Sequence, residues 1–94
     1  MVARTVLITM QKSDVAVIYG MSGCIHCLKC EQLCQSLGIP YMHKNVMEEP
    51  VTSEFRDLFP GELNVPQVIW KNIRVSGYDN FTKMIKHEME MGAL

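Results

Sequence analysis

The four cysteines of the chain lie in one short stretch, Cys24–Cys34, with the spacing Cys-x2-Cys-x2-Cys-x3-Cys. Two chemistries fit this spacing. Cys24 and Cys27 form a CxxC pair, the arrangement that exchanges thiols with disulfides. The full run of four also has the spacing of cysteine ligands to an iron–sulfur cluster. The first interpretation predicts a redox enzyme and the second predicts a metal-binding protein.

Cys24 is expected where a strand ends and a helix begins. The unpaired N–H groups and the positive dipole end of the helix stabilise a thiolate there, so Cys24 is the predicted nucleophile. Cys27, one turn later, is the predicted resolving thiol, and the exchange leaves a Cys24–Cys27 disulfide that a reductant reopens. His26 lies between them. As a hydrogen-bond donor it would tune the pair by stabilising the thiolate; the alternative is an exposed histidine with no role.

The elements that position these residues form one α/β domain over residues 14–94, in the order β-α-β-α-β-β-α. Val15–Tyr19 is a continuous apolar run and predicts a central strand. A helix follows from about Cys24 to Leu37, with Gly38 as its C-cap, and Tyr41–Val46 is the next strand. This β-α-β unit predicts parallel strands. The helix directs inward the residues Cys27, Cys30, Leu33, Cys34 and Leu37.

The second half of the chain predicts a short helix, a hairpin and a last helix. The short helix follows Pro50. Pro66–Trp70 and Ile73–Val75 form an antiparallel hairpin across Lys71-Asn72. Asp79 is the predicted N-cap of the last helix. The inward face of that helix is predicted to contain Phe81, Met84, Ile85 and Met89.

Residues 1–13 form a predicted N-terminal extension. Val2–Met10 is strand-like, and the four residues after it span roughly 13 Å when extended, enough to cross two strand spacings of about 10 Å. We interpret the stretch as an extra edge strand. A frayed arm and a helical arm are the alternatives.

Cys30 and Cys34 are predicted to be core residues, because free cysteine behaves as a small hydrophobic side chain. A continuous helix spreads its thiols along an axis instead of converging them on one metal ion. The spacing of the four cysteines is therefore attributed to helical periodicity.

Composition excludes several classes of function. With 94 residues, 48% of them apolar, the chain forms one small domain. Nine basic residues against ten acidic ones give no basic surface for nucleic acid. No apolar run is long enough to span a membrane, and no secretory signal pattern is present, so a cytoplasmic location is predicted. In that compartment a cysteine pair is catalytic or metal-binding more often than structural.

The CxxC pair, Asn64-Val65-Pro66-Gln67-Val68 and Val75-Ser76-Gly77-Tyr78-Asp79 together resemble the glutaredoxin branch of the thioredoxin-like family, over about residues 14–90. The resemblance implies the thioredoxin/glutaredoxin-like fold, a four-stranded mixed sheet flanked by helices. It also implies that Pro66 is cis. The residues implied to bind the glutathione substrate are Val65, Pro66, Gly77, Tyr78 and Asp79.

The chain departs from the family pattern at several positions of this site. Ile25 and His26 stand where Pro-Tyr is usual, and Met21 occupies the place of a basic residue that meets the glycine carboxylate of glutathione. Asn64 and Ser76 replace a threonine and a glycine. Within the family, loss of the proline between the cysteines is in some cases linked to glutathione-ligated iron–sulfur clusters shared by a dimer.

The resemblance implies a thiol–disulfide oxidoreductase coupled to glutathione or to a reductase. It would reduce protein disulfides, such as that of ribonucleotide reductase, or glutathione mixed disulfides through Cys24 and Cys27. Glutathione is the predicted co-substrate, with no bound cofactor or metal ion, and the protein is predicted to be a monomer without nucleic-acid or membrane partners. The alternative is an iron–sulfur cluster carrier or sensor that uses the cysteine cluster. A redox-inert module is a third hypothesis, against which intact Cys24 and Cys27 argue.

Overall fold

The structure is a computed structural model that describes residues 14–94. The extension predicted over residues 1–13, with its edge strand, lies outside the described residues. The elements follow the predicted order: β1 (Ala16–Gly20), α1 (Ile25–Leu37), β2 (Tyr41–Asn45), α2 (Val51–Leu58), β3 (Gln67–Trp70), β4 (Ile73–Ser76) and α3 (Gly77–Glu90). None of the helices in this described part is long and apolar enough to cross a membrane.

A four-stranded mixed sheet with the strand order β2-β1-β3-β4 organises the fold. β1 pairs in parallel with β2 and antiparallel with β3, and β3 pairs antiparallel with β4. β1 is central, as predicted, because the helical crossover brings β2 to one side and the hairpin lies on the other. The hairpin turns at Lys71 and Asn72, whose φ angles are 51° and 66°. Positive φ at both turn residues matches the right-handed twist of the strands.

Helices cover both faces of the sheet, as the predicted fold class requires. α1 and α3 pack on one face, in a buried cluster that includes Ile18 and Phe81. α2 packs on the other face, where Tyr19, Phe55 and Phe59 form a second cluster. Consecutive residues of β1 pack in different clusters because side chains alternate between the faces of a strand.

Helix α1 ends at Gly38 as predicted, but Leu37 does not reach the core. Gly38, with φ of 70°, donates its N–H to Gln35 O, and Ile39 donates to Cys34 O at 2.9 Å. This pair of bonds is the Schellman motif. It turns the chain so that Ile39, 6% exposed, packs in the cluster with Cys34, while Leu37 is 36% exposed.

The predicted inward face of α3 is wrong at its last position. Met89 is 51% exposed. Glu88 faces the sheet instead, because Trp70 Nε1 and Lys71 Nζ each donate to its carboxylate at 2.7 Å. A buried indole N–H needs an acceptor, and the carboxylate supplies it where the apolar pattern placed a methionine.

Candidate active site

The cysteine pair lies at the turn between β1 and α1, at the carboxyl end of the central strand. Cys24 is the N-cap of α1, with an extended backbone (φ −87°, ψ 112°), and its Sγ accepts the Cys27 N–H at 3.2 Å. The thiol thus takes the place of the serine or aspartate oxygen found at most N-caps. The Cys24 sulfur therefore accepts a backbone hydrogen bond and lies at the positive end of the helix dipole.

Cys27 differs from Cys24 in its access to solvent. Cys27 is 1% exposed, whereas Cys24 is half-buried. Burial raises the pKa of the Cys27 thiol to about 12, and its hydrogen bond with Cys24 acts in the same direction. Cys27 is therefore protonated at neutral pH. This difference in access supports Cys24 as the attacking thiol.

Cys30 and Cys34 are core residues, as the sequence predicts. Both are 0% exposed and belong to the cluster between α1, α3 and the sheet. Burial raises the pKa of Cys30 to about 12 and that of Cys34 to about 11. Across residues 14–94, which include all four cysteines, no group of three or more Cys, His, Asp or Glu side chains is arranged to hold a metal ion. The cysteines are therefore spread along the axis of α1 instead of converging on one point.

Gly20, the last residue of β1, has no side chain, and the Cys27 side chain lies where a side chain at Gly20 would be. A methyl group at Gly20 would lie 2.6 Å from Cys27 Sγ and 2.9 Å from His43 Nε2. Only glycine permits this approach, since such separations are well inside van der Waals contact. Neither Gly20 nor His43 was predicted from the sequence as part of the site. A glycine that ends a buried strand just before a CxxC pair was the available signal.

The residues expected to bind glutathione come together at one cavity of about 280 Å³. Its lining consists of His26, Val65, Pro66, Ser76, Gly77, Tyr78, Asp79 and Asn80. The Val65–Pro66 peptide is cis, as the family resemblance implied. Pro66 O accepts the Gly77 N–H at 3.0 Å. This hydrogen bond joins two segments that are distant in the sequence into one wall of the cavity.

His26 lies at the rim of this cavity. Its ring stacks on Tyr78 with centroids 6.5 Å apart and an interplanar angle of 29°. Lys29 Nζ lies 5.7 Å from the centre of the same tyrosine ring. The sequence associated His26 with the Cys24 thiolate; the structure places its ring beside an aromatic wall of the cavity.

Asp79 is not the N-cap of α3, which corrects the prediction. Ser76 holds the cap position, and Asp79 lies in the first turn of the helix with an exposed side chain. The predicted cap was three residues late because Gly77 and Tyr78 already belong to the helix. An exposed carboxylate in a first turn is favoured by the helix dipole and is accessible to a ligand's ammonium group.

Gln67 fixes the loop that precedes Pro66. It is 2% exposed, and its Nε2 donates to Asn64 O and Ser76 Oγ, both at 3.1 Å. A buried amide with partners on both sides ties the loop to the turn before α3. Gln67 was not predicted from the sequence as part of the site, although a polar residue at the start of an apolar strand was a signal.

No protein-family model matches the chain. Glutaredoxin 1 of Escherichia coli is 26% identical over 81 residues, which cover 79% of this chain and 95% of the relative. The structure of reduced E. coli glutaredoxin has a TM-score of 0.68 and 24% identity, over 81% of this chain and 98% of that one. A buckwheat glutaredoxin–glutathione complex has a TM-score of 0.63 and 18% identity, over 97% and 84% of the two chains.

These similarities confirm the resemblance expected from the sequence. The described chain has the β-α-β-α-β-β-α order and the four-stranded mixed sheet of the thioredoxin/glutaredoxin fold. The sequence similarity extends over nearly the whole length of the E. coli relative. The chain thus has the thioredoxin/glutaredoxin fold and resembles glutaredoxin 1 in sequence, and together these similarities support a glutaredoxin-like thiol–disulfide oxidoreductase.

Proposed function

We propose that the protein reduces protein disulfides and glutathione mixed disulfides with Cys24 as the nucleophile and Cys27 as the resolving thiol. The observation that carries this proposal is the contrast within the pair. Cys24 caps the helix and is half-buried, whereas Cys27 is 1% exposed and donates its N–H to Cys24 Sγ. A substrate disulfide can meet the first sulfur, and the second lies directly behind it.

The reaction has two exchanges. The Cys24 thiolate attacks one sulfur of the substrate disulfide, so that a mixed disulfide forms and the other substrate sulfur leaves and takes up a proton. Cys27 then loses its proton and attacks Cys24 Sγ, which forms the Cys24–Cys27 disulfide and releases the second substrate thiol. Two electrons have passed to the substrate. Two glutathione molecules, or a disulfide reductase, return the pair to the dithiol.

Glutathione is the proposed co-substrate. The cavity beside His26 offers the start of α3 for the γ-glutamyl carboxylate and the exposed Asp79 for the ammonium group. The backbone of Val65, next to the buried Pro66, is proposed to pair with the cysteine moiety. The buckwheat protein of similar fold was solved with glutathione. Met21 supplies no charge for the glycine carboxylate, so we assign the binding mainly to the γ-glutamyl end.

Protein disulfides are the other proposed substrates. Ile25 and Leu28, 68% and 52% exposed, line a second cavity with Cys24. Exposed apolar side chains around a nucleophile favour a protein partner over a small polar one. A disulfide such as that of ribonucleotide reductase is a substrate of this class. We further propose that the protein acts as a monomer in the cytoplasm, with neither nucleic acid nor a membrane as partner.

The iron–sulfur alternative has less support. Helix α1 buries Cys30 and Cys34 in the core, so they do not converge with the accessible Cys24. An iron–sulfur cluster held by Cys24 and glutathione in a dimer would use the cavity proposed for glutathione. A visible absorption spectrum of anaerobically purified protein separates the two functions, because the dithiol form is colourless.

His26 is proposed to tune the reduction potential of the pair, since it is at once close to Cys24 in the sequence and stacked on Tyr78. Replacing it by tyrosine, His26→Tyr, should remove the imidazole N–H and lower the potential by about 30 mV, which corresponds to about 1.4 kcal/mol. Equilibration with glutathione redox buffers measures this value. An unchanged potential would leave the histidine without a redox role.

Three variants test the proposed roles. Cys24→Ser should abolish the reduction of both substrate classes. Cys27→Ser should abolish the reduction of protein disulfides but retain that of glutathione mixed disulfides, because free glutathione can then resolve the Cys24 adduct. Cys34→Ala is the matched control and should keep both activities, since this thiol is 0% exposed. Full activity of Cys24→Ser would contradict the proposal.

A further inference from the structure

The second exchange poses a problem of proton transfer. Cys27 must attack as a thiolate, yet it is 1% exposed and burial raises its pKa to about 12. At neutral pH it is almost entirely protonated, and bulk water has little access to its sulfur. An internal base next to Cys27 would remove this difficulty.

His43 lies next to Cys27 across the missing side chain of Gly20. One point, the position of a methyl group on Gly20, is 2.6 Å from Cys27 Sγ and 2.9 Å from His43 Nε2. The two atoms are therefore separated by no more than the sum of these distances. A direct hydrogen bond after a small rotation, or a single bridging water, can span such a gap.

Sheet register and helix periodicity explain this arrangement. His43 pairs with Ile18 in the parallel β1–β2 ladder, and its side chain consequently lies on the α1 face of the sheet. Lys44, the next residue, points to the opposite face, where it pairs with Glu54 at 2.7 Å. Glu31 follows Cys27 by four residues on α1, so both side chains lie on the same side of the helix.

Glu31 completes the group. Its Oε2 lies 3.4 Å from His43 Nδ1, and the two side chains are 20% and 30% exposed. A carboxylate at Nδ1 favours the tautomer that leaves Nε2 free to accept a proton. It also stabilises the imidazolium that forms when a proton arrives.

These side chains share a cavity of about 260 Å³ with the nucleophile. Its titratable lining residues are Cys24, Cys27, Glu31 and His43, and the remainder of the lining consists of Met21, Ser22, Gly23, Ile25 and Leu28. The cavity is separate from the one proposed for glutathione, whose lining includes neither Glu31 nor His43. The cysteine pair thus has a ligand side and a side that carries a base.

We propose that His43 is the proton acceptor for Cys27 in the second exchange and that Glu31 is a positioning residue for its ring. The inference rests on the proposed function. As Cys27 Sγ attacks Cys24 Sγ, its proton passes to His43 Nε2, the Cys24–Cys27 bond forms and the Cys24–substrate bond breaks. The imidazolium, paired with Glu31, then returns the proton to the departing thiolate or to water in the cavity. No net charge or electron is left over.

A single-turnover reaction with the aryl disulfide 5,5′-dithiobis(2-nitrobenzoate) tests the relay, because each exchange releases one coloured thiolate. The first phase reports the attack by Cys24 and the second reports the resolution by Cys27. His43→Gln should slow the second phase about 100-fold at neutral pH and leave the first within twofold. Glu31→Gln should slow the second phase less. His87→Gln, an exposed histidine on α3, is the matched control and should change neither phase.

The pH profile separates a proton acceptor from a structural role. In the His43→Gln variant the second phase should accelerate tenfold per pH unit toward the Cys27 pKa, whereas the wild-type rate should depend less steeply on pH. Added imidazole should partly rescue His43→Ala, whose shortened side chain enlarges the cavity. If the second phase of His43→Gln were as fast as that of the wild type at every pH, the proposed proton transfer to His43 would be wrong. A second phase that persists in Cys27→Ser would instead contradict the dithiol mechanism itself.

Discussion

The two halves of α1 place the same side chain in opposite environments. In the front half, Cys24 caps the helix, is half-buried and lines a cavity with Glu31 and His43. In the rear half, Cys30 and Cys34 are both 0% exposed within the main core cluster. Position along one helix therefore separates the proposed nucleophile from cysteines that act as small apolar side chains.

Cys27 belongs to both environments. Its exposure, 1%, is that of the rear half, and burial raises its pKa to the same value, about 12, as that of Cys30. Its neighbours are those of the front half, because its N–H donates to Cys24 Sγ and its sulfur lies beside Gly20 and His43. The resolving role proposed for Cys27 therefore depends on what its sulfur faces, not on how deeply it is buried.

Among the substitutions that test this comparison, Gly20→Ala is expected to have the largest effect. The added methyl group would collide with Cys27 Sγ at 2.6 Å, so the free energy of unfolding should fall by about 1–3 kcal/mol, the usual range for an overpacked core. Chemical denaturation measures the loss. In the Cys27→Ala background the same substitution should cost less, since the colliding sulfur is absent. Equal losses in both backgrounds would place the strain elsewhere.

The loss of folding stability at high pH should depend on the buried cysteines of the rear half. Burial raises the pKa of Cys30 from 9.0 to about 12, so the folded state holds a proton that the unfolded chain releases. This contribution is complete below pH 9.0 and is lost as the pH rises toward 12, by about 1 kcal/mol at pH 10. Denaturation of the wild type and of Cys30→Ala between pH 8 and 11 compares the slopes.

The Cys30→Ala variant should show a shallower decline with pH and should retain its disulfide reductase activity at pH 7. Deletion of a buried sulfur leaves a small cavity, so its stability below pH 9 should already be lower by about 1 kcal/mol. If stability fell equally steeply with pH in the wild type and in Cys30→Ala, another group would be responsible for the loss of stability at high pH. A large loss of reductase activity in Cys30→Ala would show that Cys30 is needed for the reaction.

The smallest effect is expected at the edge of the front half. Met21→Lys introduces the positive charge that the family pattern has at this position, and it should lower the KM for a glutathione mixed disulfide by about two- to fivefold, the contribution of an exposed ion pair. Steady-state kinetics at low and high salt measures the change, which should vanish at high salt. Met91→Lys, an exposed methionine at the end of α3, is the control for net charge.

Local patterns predicted the parts of the site that lie on one element. The positions of Cys24 and Cys27 at the start of α1, the inward direction of Cys30 and Cys34, and the cap at Gly38 all follow from helical periodicity and capping chemistry. One error has a distant cause: Glu88 faces the sheet in place of Met89 because the Trp70 indole donates to its carboxylate. The other is local, because α3 begins at Gly77 and its cap is Ser76, three residues before the predicted Asp79.

The sequence by itself determined the order of the elements, the position of Cys24 and Cys27 at the start of α1 and the burial of Cys30 and Cys34 in the core. These properties depend on backbone hydrogen bonds and apolar spacing within a few residues. Only the tertiary structure decided that His43 meets Cys27 across Gly20 and that Gln67 ties the Pro66 loop to Ser76. Such contacts depend on strand register and helix packing, which bring together residues whose local sequences carry no information about each other.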